Sequence, residues 1–295
     1  MKMIKELNYH RAETLQEALQ LLEELKGDVK ILAAGTDLVV RLKSNMVKEN
    51  NILDISYVKE LKGIFTEGDE IHILPLTTHT DIIESDTIRK YGTVLLDACK
   101  SVGSPQIRNR GTIGGNVSNA SPAGDTITAL FAQEAKLKLK SKNSERVISV
   151  EDFFTGPGKT VLKSDELLVD IFFPKMKENE TGFFKKLGQR NALAIAVVNT
   201  AVKLSVSSEK NRFDNAIVAF GAVAPTVVRA KNIEKALTDD VVDSPKKLRY
   251  IAQLAWRDVS PISDVRASLK YRQDMSINLL YEGLLELFNN GWKRR

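Results

Sequence analysis

Cysteine is almost absent: Cys99 stands alone in 295 residues. One thiol closes no internal disulfide and cannot supply the four thiolates an iron–sulfur cluster normally takes, so any metal redox chemistry belongs to another chain. Histidine is nearly as scarce, and the spacing of His10, His72 and His79 matches no metal-ligand pattern. Aromatics make up only 6%, the 43 Lys and Arg residues are spread along the chain, and the net charge is +5. A nucleic-acid surface needs a concentrated basic stripe, and none is present. The basic end Lys293-Arg294-Arg295 reads as solvated. No apolar run reaches the ~20 residues that cross a bilayer, and the start lacks the apolar segment of a signal peptide. The expectation is a cytoplasmic protein with no membrane and no nucleic-acid partner.

Two familiar nucleotide motifs are also missing. No G-x-G-x-x-G opens a helix after a strand, which leaves a Rossmann site unsupported. Gly158-Lys159-Thr160 looks like the end of a phosphate-binding P-loop, but the required earlier glycine is Phe153. What remains is an ordinary globular composition, 43% hydrophobic and 27% charged, long enough for two domains or one large one.

The informative stretch is Val102 to Asp125, VGSPQIRNRGTIGGNVSNASPAGD. Its centre, Gly111 to Asn116, has little side-chain bulk, so the backbone can approach a ligand closely. Converging N–H groups suit phosphate, and Thr112, Ser118, Ser121, Asn116 and Asn119 add short polar arms. Asp125 is an acceptor suited to sugar hydroxyls. This inventory fits a nucleotide cofactor better than a nucleophile, although taken alone it reads equally as a polar surface loop. A second candidate cradle is Ala34-Gly35-Thr36-Asp37-Leu38, which follows the apolar strand Val29 to Ala33.

Periodicity predicts a helix over Thr14 to Lys26, stopped by Gly27, and strands at Val29 to Ala33 and Asn51 to Ile55. A hairpin is expected over Ile64 to Leu74, a helix start at Thr77 to Ile82, and helices at Thr93 to Val102 and Ile127 to Ala135. Strands are expected at Ala135 to Leu139 and Glu145 to Ser149. Beyond Glu166, apolar segments at Leu167 to Pro174, Phe183 to Leu187, Ala194 to Val206 and Asn215 to Ala224 precede helices at Ile233 to Leu237, Lys246 to Val259 and Arg266 to Phe288. The charged turn Lys175 to Glu180 is the expected domain boundary.

With both glycine loops in view, the sequence resembles the flavin-binding medium subunit of the molybdenum hydroxylases, the family of xanthine dehydrogenase and carbon monoxide dehydrogenase. Ala33-Ala34-Gly35-Thr36-Asp37-Leu38 is similar to the family's A-G-G-T-D-L loop, and Leu76-Thr77-Thr78-His79 to its A-L-T-T-H stretch. Thr112-Ile113-Gly114-Gly115-Asn116, with Ser121-Pro122 and Asp125, matches the second loop. Phe184 to Gly188, Ala222 to Thr226 and Ser263 to Arg272 resemble later segments.

The resemblance implies an α+β fold: a two-subdomain FAD-binding domain of the vanillyl-alcohol-oxidase-like (PCMH) type over 1–174, with subdomains of about 1–58 and 59–174. An antiparallel sheet with helices would follow over 181–295. It implies bound FAD, with Ile31, Leu32, Ala33, Ala34, Gly35, Thr36, Asp37 and Leu38 clasping the pyrophosphate together with Thr112, Ile113, Gly114, Gly115 and Asn116. Asp125 would meet a ribityl or ribose hydroxyl, Val102 and Leu168 would make apolar contacts near the rings, and Lys186 would face the polar edge of the flavin, where a cation favours the anionic reduced ring. The chain would relay electrons from the [2Fe–2S] clusters of one partner, fed by a molybdenum-cofactor partner, to NAD or another soluble acceptor, in a xanthine dehydrogenase-like complex.

Three positions depart from the family pattern. Ala34 replaces a glycine, Pro75-Leu76 stands where Gly-Ala is usual and removes a backbone donor, and Ala194 replaces a frequent Asp. A stand-alone flavin oxidoreductase and a non-redox nucleotide-binding module remain as alternatives, and the role of Ser263 to Arg272 is open between a structural helix start, with Asp264 as cap and Arg266 paired, and a functional one.

Overall fold

A computed structural model describes residues 6–190, 193–209 and 211–293; Arg294 and Arg295 of the basic end lie outside them. Three parallel strands, Asn8–Arg11, Asn51–Asp54 and Val29–Leu32, form the first sheet with Asn51–Asp54 in the centre. The helix Leu15–Leu25 crosses between them. It begins at a capping box in which Thr14 and Glu17 satisfy each other's backbone N–H groups, and ends at Lys26 in the left-handed region. Its Ala18, Leu19 and Leu22 seal a small core with Leu53, Ile55, Val58, Leu61 and Leu76.

The second sheet has five antiparallel strands in the order Ile64–Glu67, Glu70–Ile73, Leu167–Pro174, Lys136–Lys140, Glu145–Ser149. Its central strand reads as a nearly unbroken apolar run because both of its faces are covered. Leu167 and Val169 enter the first core, while Leu168, Ile171 and Phe173 enter a larger one. Strict alternation would send Leu168 and Ile171 to opposite faces. A bulge between Leu168 and Asp170 adds a residue and returns Ile171 to the face Leu168 occupies. Helices Thr93–Ser101, Ile113–Asn119 and Asp125–Ala132 complete this core.

The third sheet is antiparallel, in the order Glu180–Gly188, Ala196–Val206, Phe213–Gly221, Val228–Arg229. One face packs on Asp125–Ala132 and the other on Leu269–Asn289. The last of these helices sits close to its strand because Gly283 faces the ring of Phe183, and a Cβ at 283 would overlap that ring. Among the described residues no helix is long and apolar enough to cross a membrane.

The motif Ser263 to Arg272 is structural in this fold. Ser268, not Asp264, caps the long helix. Asp264 accepts the backbone N–H groups of Arg266 and Ala267 and pairs with Arg272 at 2.8 Å. Arg272 is buried and donates to the carbonyls of Val197 and Ala222, tying the long helix to two strand ends. The principal pairing thus falls to Arg272; Arg266 reaches Asp264 only at 3.7 Å.

Candidate functional site

The loop after Val29–Leu32 is built to leave donors free. Gly35 takes φ +75°, which turns the chain into the short helix Leu38–Lys43. Ala34 is outside the left-handed region, so the family glycine is not needed there for conformational freedom. Asp37, at the N-cap position, turns its carboxylate to Arg41 at 3.0 Å instead of back to the helix N-terminus. The six consecutive backbone N–H groups from Ala33 to Leu38 have no hydrogen-bond partner among the described residues. Six adjacent unpaired donors at the carboxyl end of a parallel strand form a ready anion cradle. Below it Ile31 and Leu32 stay half-exposed, unusual for aliphatic residues in a sheet. Ser56 ties the cradle down from the neighbouring strand end through a hydrogen bond to the carbonyl of Ala33.

The second glycine stretch is organised differently. Thr112 is the N-cap of the helix Ile113–Asn119, and the first four N–H groups of that helix are taken within the chain. Ile113 donates to Thr77 O at 3.0 Å, Gly114 to Pro75 O at 2.9 Å, Gly115 to Thr112 Oγ1 at 3.2 Å and Asn116 to Thr112 O at 3.0 Å. Gly114 is glycine because a Cβ would run into Pro75. Pro75 therefore contributes an acceptor where its missing N–H is of no consequence. Gly115 and Ser118 lie on the exposed face of this turn, which presents a bare backbone to a ligand. Asn116 turns inward and accepts from Thr126 Oγ1 at 2.7 Å.

Packing joins the two loops through the segment 75–77. Ala33 and Ile31 lean on the core that contains Leu76, and the residues on either side of Leu76 hold Ile113 and Gly114. Beneath this turn His79 is buried beside Cys99, with Nδ1 and Sγ 3.7 Å apart. Burial, helped by the Arg108 cation, pushes His79 down to about 4, and burial pushes the Cys99 thiol up.

Asp125 opens the helix Asp125–Ala132 and is 6% exposed. Its Oδ2 lies 2.5 Å from Lys186 Nζ and 3.1 Å from Ser101 Oγ, and its Oδ1 accepts from Asn199 Nδ2 at 2.9 Å. Both oxygens are thus occupied by the chain itself. Lys186 also donates to Ser101 O at 3.1 Å. Burial pushes the Asp125 carboxyl up, and the lysine, the amide and the hydroxyl pull it back.

Lys186 borders a groove of 820 Å³ between the segment 100–108 and the strand end at Lys186 to Gly188, with Arg190, Leu193 and Ala194. Its lining includes four cations, Lys100, Arg108, Lys186 and Arg190, with Ser101, Ser104 and Gln106, and no carboxylate or imidazole among the described residues. Ala194, where the family often has Asp, belongs to the same wall. Val102 is half-buried between two groove residues, Ser101 and Gly103. Leu168 is buried in the core of the second sheet and does not line the groove. Sequence reasoning had no means of finding Ser101, Arg108 or Asn199. Asn199 comes opposite Lys186 only through strand register.

A family model described as the FAD binding domain in molybdopterin dehydrogenase matches residues 5–176, and one described as the CO dehydrogenase flavoprotein C-terminal domain matches 183–287. The xanthine dehydrogenase FAD-binding subunit of Escherichia coli O157:H7 is 33% identical over 267 residues, 90% of each chain. The glyceraldehyde dehydrogenase medium chain of Sulfolobus acidocaldarius is 34% identical over 275 residues, covering 92% of this chain and 94% of that one. A solved carbon monoxide dehydrogenase chain from Hydrogenophaga pseudoflava superposes with a TM-score of 0.92 at 28% identity, covering 98% of this chain and 99% of its own. On these matches the chain belongs to the FAD-binding medium-subunit family of the molybdenum hydroxylases, with FAD as its cofactor.

Proposed function

We propose that this chain is the electron-relaying FAD subunit of a xanthine dehydrogenase-like complex. It would receive electrons from the [2Fe–2S] clusters of one partner, downstream of a molybdenum-cofactor partner that performs the hydroxylation, and pass them to NAD or another soluble acceptor. The single observation that carries this reading is the run of six unpartnered N–H groups at Ala33 to Leu38, which suits an anion such as a diphosphate. Two observations support the remainder: one cysteine cannot hold the clusters, and four cations in the groove favour an anionic acceptor. The relatives' names cover different substrates, which agrees with a relay subunit whose complex selects its substrate in another chain.

In this reading the loop N–H groups bind the diphosphate, with Gly115 letting it approach from the other side. Ile31, Leu32 and Val102 shield the bound nucleotide from water. The Lys186 ammonium, held by Asp125 and Ser101 O, keeps one positive charge at the edge of the groove. FAD, when bound, supplies the conversion between two-electron and one-electron transfer. We place the domain division at Lys175 to Glu180, with 1–58 and 59–174 as subdomains of the FAD-binding domain and 181–295 as the C-terminal domain. A stand-alone oxidoreductase would want a carboxylate or imidazole in the groove, and among the described residues its lining supplies neither.

The test is FAD content, by absorbance and mass, of the complex carrying Ala34→Glu. A carboxylate beside the diphosphate should weaken FAD binding about tenfold or more, while thermal unfolding of the FAD-free protein stays unchanged. Full retention of FAD would remove the loop from the site.

A further inference from the structure

A polar row crosses the third sheet beneath the groove. Lys186, Asn199 and Gly221 are direct cross-strand partners on three adjacent strands. They share one face, and the helix Asp125–Ala132 packs over it, placing Asp125 above Lys186 and Asn199 and Thr128 above Asn199 and Gly221. Asn199 and Thr128 are wholly buried. The Asn199 amide donates to Asp125 Oδ1 at 2.9 Å and accepts from Thr128 Oγ1 at 2.8 Å. A carboxylate only accepts and this hydroxyl donates, so the amide has a single orientation. Gly221 leaves room for it: a Cβ there would strike both Asn199 Oδ1 and Thr128 Oγ1.

The donors around Asp125 are not equivalent. The one Ser101 hydroxyl proton is shared with Ala98 O, which is nearer at 2.7 Å than Asp125 Oδ2 at 3.1 Å. Asn199 is therefore the neutral donor that holds the carboxylate in place. Of the three ammonium protons of Lys186, Asp125 and Ser101 O take two, and the third is left for the groove. The direction of that third proton depends on where the carboxylate sits.

We propose that Asn199, oriented by Thr128, is a positioning residue for the cofactor site: it fixes Asp125, and through Asp125 it aims the Lys186 ammonium at the flavin edge and so helps set the flavin's reduction potential. This rests on the reading above that Lys186 faces the flavin. With Asn199→Leu, Asp125 loses its Oδ1 donor and is free to turn both oxygens to the ammonium, drawing the third proton away from the groove. The potential should fall.

The experiment is a spectroelectrochemical titration of the flavin in the complete complex, with wild type, Lys186→Met, Asn199→Leu and the double variant. Lys186→Met should lower the potential. Asn199→Leu should lower it less, and adding Asn199→Leu to Lys186→Met should change nothing further, because Asn199 acts only through the lysine. Thr128→Val should shift the potential in the same direction as Asn199→Leu, and Thr128→Ser should restore it; this pair decides the matter if Asn199→Leu does not fold. Additive shifts in the double variant, or an unchanged potential in both Asn199→Leu and Thr128→Val, would overturn the proposal. An unchanged potential in Lys186→Met with flavin bound would instead overturn the placement of the lysine at the flavin.

Discussion

Buried ionisable side chains give this chain a pH signature at the level of single residues. His79 is held neutral, at about 4, by burial and the Arg108 cation, whereas in the unfolded chain it titrates near 6.5. The unfolded state therefore binds more protons between those values, and stability falls as pH drops from about 6.5 toward 4, by on the order of 3 kcal/mol. A His79→Leu variant should lose that part of the slope in thermal unfolding measured from pH 7 to pH 5; an unchanged slope would show that another group carries it. Asp264 works lower on the scale. Two backbone N–H groups and the Arg272 guanidinium hold its carboxyl at about 2, so its contribution is complete above the ordinary value of 3.8 and is lost as pH falls toward 2. Asp264→Asn should cost stability at pH 6 but progressively less between pH 4 and pH 2. The residue types of the site were legible in the sequence, and their partners only partly. Asp125 reads as a sugar acceptor when its neighbours are unknown, yet both of its oxygens are filled by side chains 24, 61 and 74 positions away. Such pairings leave no local pattern to read.

At the level of elements, glycines are placed by close approach more than by turn geometry. Gly283 is mid-helix, where alanine would ordinarily gain up to about 1 kcal/mol. Its Cβ would overlap the Phe183 ring, however, so Gly283→Ala should destabilise the protein by about 1–3 kcal/mol in denaturant titration. A stabilised variant would mean that helix and strand can separate freely. The Thr112 cap makes the same point for the second glycine loop. Read as sequence, Thr112 to Asn116 is a turn with N–H groups to offer, and in the fold it is a helix start whose N–H groups serve the chain. The reason lies in Pro75 and Thr77, whose carbonyls meet it from 39 and 36 residues upstream. Helix and strand periods, by contrast, reported most elements within a few residues. The capping pairs Thr14 with Glu17 and Thr78 with Asp81 hold their helix starts, and the apolar pair Ile71 and Ile73 of Glu70–Ile73 is fully buried.

For the whole molecule, the proposed cofactor site draws on three sheets. The first sheet provides the diphosphate cradle and the second supplies the strand and helices that support the glycine turn. The third provides Lys186 together with the row that fixes it. This distribution explains why two motifs far apart in the sequence point to one ligand while the residues that connect them do not announce themselves. The decisive measurement is a crystal structure of the FAD-loaded protein. The account expects the diphosphate within hydrogen-bond distance of backbone N–H groups between Ala33 and Leu38, and the polar edge of the flavin next to Lys186 Nζ. A diphosphate lodged in the groove among Lys100, Arg108 and Arg190, with the Ala33 to Leu38 donors left to water, would contradict it.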